Sequence, residues 1–131
     1  MSAVLGFVLA LAYTLVLLAM AVTAARRHRV RRHVWLIGGA LVGLGVTIWF
    51  AIELGRVYDL ESAGVITPIH LTLAKITTAA YVLPILAGWR TLRRPAMRPW
   101  HKMLAYVVLA LTVLSAITGT IMILRAVPLA L

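Results

Sequence analysis

The chain has 131 residues, of which 63% are hydrophobic, and a mean hydropathy of +1.03. That is too apolar for a soluble domain of this length, and the apolar residues fall into four long runs. The sequence therefore reads as one integral membrane domain spanning 1–131, an all-α four-helix bundle. Each run is about twice the length a spanning strand needs and none alternates, which argues against a β-barrel.

Net charge is +10, a value that on a soluble protein would indicate nucleic acid. Here ten of the 13 Lys and Arg sit in two short connections, Arg26, Arg27, Arg29, Arg31 and Arg32 in one and Arg90, Arg93, Arg94, Arg98 and Lys102 in the other. The positive-inside rule places both connections in the cytoplasm, where they would also attract anionic lipid headgroups, and nucleic acid is excluded as a partner. The chain has no cysteine. Disulfides, iron–sulfur clusters, thiolate metal sites and covalently attached haem are thereby ruled out.

The first predicted helix, Ser2 to Ala25, has no cation before it and five arginines after it, the reverse of a signal peptide. It reads as a retained helix with the N-terminus outside and Tyr13 as its one large polar group. A basic turn, Arg26 to Arg32, leads to a second helix from about His33 to Gly55. There Gly39 and Gly43 form a small-xxx-small pair that lets a neighbouring backbone approach closely. Trp35 and Trp49 mark its two ends, and Glu53 lies near the outer one.

The outer loop, Arg56 to Thr67, carries Asp59 and Glu61. Thr67 is suited to cap the third helix and Pro68 to its first turn; that helix runs to about Trp89. One of its faces reads His70, Ala74, Thr77, Tyr81, Pro84, Gly88. Pro84 should kink it and free the carbonyl of Ala80. After a second basic turn, Thr91 to Trp100, the fourth helix runs from about Lys102 to Leu124, with no charge between Met103 and Leu124. At about 1.5 Å per residue this run crosses a ~30 Å hydrocarbon layer. Its stripe is His101, Ala105, Val108, Thr112, Ser115, Gly119. Lipid does not require small residues, so the stripe implies a close neighbour, either another helix or a flat ligand. Four crossings put both termini on the extracytoplasmic side.

Each half of the chain is a helix, a basic turn, a histidine and a second helix. Arg32-His33 and Trp100-His101 occupy matching places 68 residues apart. Two imidazoles entering from the cytoplasmic side are what a six-coordinate haem b iron needs, and Arg32 and Arg98 are placed to pair its propionates. The plainer reading makes His33 and His101 interfacial residues beside a polybasic turn. His70 is about 25 Å away at the helical rise and would ligate a separate metal, such as copper with Glu53, Asp59 or Glu61, or simply bond a loop carbonyl. Lys75 lies about two turns into the third helix. A charge at that depth calls for a partner, and Glu53 is the intrahelical carboxylate on the same side.

The block Pro68-Ile69-His70-Leu71, Arg93-Arg94 to His101-Lys102 and Ser115-Ala116-Ile117-Thr118-Gly119 resembles a family of small bacterial four-helix membrane proteins, one branch of which assists maturation of respiratory haem–copper oxidases. It is more loosely similar to haem b membrane cytochromes of the four-helix type. The resemblance covers about residues 33 to 124 and maps the family's helix-opening histidines onto His33, His70 and His101. The chain departs from it at His33-Val34-Trp35, where a basic pair is absent, and near the end of the second helix, where Glu53 and Arg56 stand in place of a further histidine. The resemblance implies a bacterial cytoplasmic membrane and electron transfer or oxidase assembly rather than an enzyme. Two other function classes stay open. One is a cofactor-free accessory or assembly subunit of a respiratory or other complex, or a homo-oligomer, packing through Gly39, Gly43 and the fourth-helix stripe. The other is a small transporter using Glu53 and Lys75.

Overall fold

The computed structural model describes residues 2–129. Four helical segments, Ala3–Arg26, Val30–Val57, Ile66–Arg93 and Pro95–Arg125, are long and apolar enough to cross a membrane, and the chain is a multi-pass, all-helical membrane protein. The elements are α1 (Ala3–Arg26), α2 (Val30–Val57), α3 (Ile66–Ala80), α4 (Val82–Arg93) and α5 (Arg98–Arg125); Tyr58–Asp59 and Val127–Pro128 are short extended segments.

Contacts gather into two compact units, one holding residues 2–59 with Pro128 and Leu129 and the other Leu60–Val127. Each unit is one antiparallel helical hairpin. The division follows from where the small residues lie, since each hairpin buries its own stripe.

The first hairpin packs α1 against α2. Its buried positions are Gly6, Thr14, Leu18, Ala21 and Ala24 on α1 and Ala40, Gly43, Thr47 and Leu54 on α2. Only Leu18 and Leu54 among these are large. Lipid is as apolar as leucine, so helices associate through close packing and interhelical hydrogen bonds instead of hydrophobic exclusion. Gly39 and Gly43 serve that purpose. A Cβ at Gly43 would lie 2.6 Å from Thr14 Oγ1, and one at Gly39 would lie 2.9 Å from Leu17 Cδ1. The basic turn is shorter than the sequence suggests, because Val30, Arg31 and Arg32 already belong to α2. The amides of Arg27 and Arg29 return to the carbonyls of Thr23 and Ala24, and His28 takes the left-handed conformation, φ 54°, that this helix ending needs.

The second hairpin packs the broken third span against α5. Thr67 does not cap α3. The helix begins at Ile66, and the Thr67 hydroxyl donates to the carbonyl of Leu60. A short 3₁₀ turn, Leu60–Ala63, and Gly64 at φ 77° shape the chain ahead of it. Pro84 acts as its ring chemistry requires: without an N–H it cannot bond Ala80, and the span breaks at Tyr81 into α3 and α4. On the other side of the connection a 3₁₀ turn, Pro95–Met97, leads into α5 at Arg98, ahead of the start at about Lys102 expected from the sequence.

Candidate functional site

The small, polar stripes of the second hairpin face each other. His70, Ala74, Thr77, Tyr81, Pro84 and Gly88 are buried or half-buried, as are His101, Ala105, Val108, Thr112, Ser115 and Gly119. The antiparallel register sets each histidine on the other helix's glycine. A Cβ at Gly119 would stand 2.7 Å from His70 Cε1, and one at Gly88 would stand 3.0 Å from His101 Cε1. Between these ends the Tyr81 hydroxyl bonds Thr112 Oγ1 at 2.8 Å, and Thr77 Oγ1 reaches the carbonyl of Leu111 at 3.5 Å. Both threonines also bond backward within their own helices, to Leu73 and Val108, which satisfies their hydroxyls in a medium without water.

The imidazoles are held through Nδ1. His101 Nδ1 lies 2.8 Å from the carbonyl of Pro84, and His33 Nδ1 lies 2.9 Å from the carbonyl of Ala21. A carbonyl only accepts, so in each neutral ring the proton is on Nδ1 and the lone pair on Nε2. His70 Nδ1 lies 3.1 Å from Thr118 Oγ1. That hydroxyl gives its own proton to the carbonyl of Leu114, 2.9 Å away, and accepts from the ring.

The two turn histidines match closely in local setting. His33 is the fourth residue of α2 and His101 the fourth of α5. Each follows an arginine-bearing turn and each bonds a carbonyl of the preceding helix of its own hairpin. Within neither hairpin do two imidazoles meet. The first contributes His33, with His28 exposed in the turn; in the second, His70 and His101 sit at opposite ends of the stripe. Arg32 and Arg98 are exposed, at the starts of α2 and α5.

The carboxylates lie at the other connection. Glu53 is engaged one turn along its own helix, 2.8 Å from Arg56 Nη1. Lys75 lies on the exposed side of α3. Asp59 and Glu61 are exposed on the segment that follows α2. Among the described residues no three histidine, cysteine or acidic side chains gather into a group that could hold a metal ion.

Thr14 and Thr47 are buried at the centre of the first hairpin, with their hydroxyl oxygens 3.4 Å apart, while each also bonds backward, to Ala10 and Gly43. Both stand alone in apolar runs, and that isolation is the signal available in the sequence. Ser115 is different. Its hydroxyl is buried with no hydrogen-bond partner. The carbonyl four residues back, Leu111, which such a hydroxyl ordinarily uses, is approached by Thr77.

Comparison with protein-family models, with curated proteins and with solved structures yields no match, so the family resemblance rests on the short motifs around His70, His101 and Thr118-Gly119 alone.

Proposed function

We propose that this chain is a cofactor-free accessory or assembly subunit of a larger membrane complex, held in a bacterial cytoplasmic membrane with both arginine-rich turns inside and both termini outside. The observation that carries this reading is the mutual filling of the two stripes. The fourth-helix stripe implies either a helix or a flat ligand beside it, and in the second hairpin the neighbour is a helix. His70 rests on Gly119 and His101 on Gly88, so the side chains best suited to chemistry act as interhelical clamps. The short motifs shared with an oxidase-assembly family support a respiratory complex as the partner. Affinity purification from native membranes tests the proposal: the tagged chain should bring down a defined set of membrane subunits in fixed stoichiometry. Recovery as a lone, haem-bearing monomer would refute it.

A second reading has its own support. The Nδ1–H bonds of His33 and His101 set the tautomer in which an imidazole ligates iron through Nε2, and a backbone carbonyl on the other nitrogen is how ligand histidines are commonly oriented. Each of these residues would serve as a haem b ligand, with the neighbouring arginine, Arg32 beside His33 and Arg98 beside His101, suited to pair a propionate. The haem would supply one-electron chemistry, and the chain would orient the imidazoles and keep water from the iron. An absorbance spectrum of the purified protein tests this reading. A Soret band lost in both His33→Ala and His101→Ala, and retained in His70→Ala, would establish it in place of the first. The transporter reading has less support, because Glu53 is engaged locally by Arg56.

A further inference from the structure

We infer that the first basic turn forms a discrete binding site for the phosphate of an anionic glycerophospholipid, with Arg27, Arg29 and Arg32 around the phosphate and the α1 wall of Ala19, Met20 and Ala24 beneath an acyl chain. This inference rests on the membrane-spanning character of α1 and α2 and stands apart from both functional readings.

The geometry is that of a cleft. A hollow of about 220 Å³ lies between the end of α1 and the start of α2, lined by those three arginines and by Ala19, Met20, Thr23 and Ala24. Arg29 and Arg32 also border a second, larger and more open hollow of about 640 Å³, beside Val30, Arg31 and Trp35. The left-handed His28 reverses the chain between Arg27 and Arg29 and so gathers guanidiniums from both sides of the turn.

The electrostatics call for an anion. A helix N-terminus is electropositive and favours acids or a capping side chain. The start of α2 has neither: no acidic residue lies in its first turn, no side chain caps it, and Arg31 and Arg32 are there instead. The chain's three carboxylates, Glu53, Asp59 and Glu61, belong to the other connection. A phosphate bound outside α2 would offset both the helix dipole and the crowded cations, and the planar guanidinium forks suit its oxygens.

The lining selects a lipid over a soluble phosphate. From Arg27 the wall passes to Ala24, Met20 and Ala19 along a helix that crosses the membrane, so the cleft is charged at its mouth and apolar along its depth. The Thr23 hydroxyl donates to the carbonyl of Ala19 at 3.0 Å and adds no competing polar demand.

The test is thermal unfolding of the full chain in a neutral maltoside detergent, titrated with phosphatidylglycerol, phosphatidylcholine or sn-glycerol 3-phosphate. Phosphatidylglycerol should raise Tm saturably, and the other two should not. Arg27→Gln/Arg29→Gln should weaken the apparent affinity at least tenfold, while Arg93→Gln/Arg94→Gln, which removes the same charge from the other turn, should change it less than twofold. Arg27→Lys/Arg29→Lys keeps the charge and is the variant to use if the glutamine form does not fold; it should weaken binding several-fold. Equal losses at the two turns would show diffuse attraction and overturn the site. A rise produced equally by glycerol phosphate would overturn the lipid assignment, and no saturable rise would overturn both.

Discussion

His101 donates its Nδ1–H to the carbonyl of Pro84, and its ring rests on Gly88, one turn further along α4. The residue that breaks the third span thus supplies the acceptor that anchors the start of the fourth. The first hairpin has the same device without the proline: His33 is tied to the carbonyl of Ala21. In both, the imidazole joins the beginning of one helix to the helix before it, next to a turn whose arginines repel one another.

Glycine substitutions should separate close packing from helix propensity. A Cβ at Gly43 or Gly119 meets a neighbour at 2.6 Å or 2.7 Å, whereas Gly38 and Gly45 have nothing within 4 Å. Gly43→Ala and Gly119→Ala should destabilise by about 1–3 kcal/mol through overpacking. Gly38→Ala and Gly45→Ala should be neutral or stabilise by up to about 1 kcal/mol, because alanine is the better helix former. Unfolding in mixed detergent micelles reads all four.

The hydroxyl pair Tyr81–Thr112, at 2.8 Å, should show a measurable coupling. Interhelical hydrogen bonds in membranes are worth about 0.6 kcal/mol on average and up to about 1.7 kcal/mol. A double-mutant cycle with Tyr81→Phe and Thr112→Val should return a value in that range.

Ser115→Ala should stabilise the second hairpin, or at least leave it unchanged. It removes a buried hydroxyl that has no partner, at little change in volume. Leaving such a group unsatisfied costs roughly 1–3 kcal/mol, so a gain of about 1 kcal/mol is expected in the same unfolding assay. A clear loss of stability would show that the hydroxyl is bonded.

Glu53→Gln should have little effect on stability. Its partner Arg56 is 70% exposed and the pair is one turn apart on a single helix, an arrangement worth about 0.3–0.5 kcal/mol and screened by salt. The cost measured at low ionic strength should fall further in 0.5 M NaCl.

Much of the membrane architecture was legible from residue type alone. Four apolar runs gave the four spans, and the three-and-four spacing of small and polar residues picked out the two faces that meet in the second hairpin. The same spacing left the occupant of the stripe open, because a glycine that admits a helix also admits a planar ligand. Only the register, with His70 opposite Gly119 and Gly88 opposite His101, shows that a helix fills it. Thr67 was misread as a cap because its cap-like position before Pro68 conceals the carbonyl of Leu60, which the preceding turn folds back within reach. The Glu53–Arg56 pair is local, three residues apart on one helix, and forms without ordering a second segment, so depth alone does not point to it. Thr14 and Thr47 were passed over because a lone threonine in an apolar run has no periodicity to mark it.

The histidine clamps are tested most directly by ¹⁵N NMR of the imidazoles in the purified, isotope-labelled protein. The account predicts that His33, His70 and His101, in their neutral form, all carry the proton on Nδ1, with His28 free to differ. Nε2-protonated rings at His33 and His101 would contradict it, since those rings could not then donate to Ala21 and Pro84.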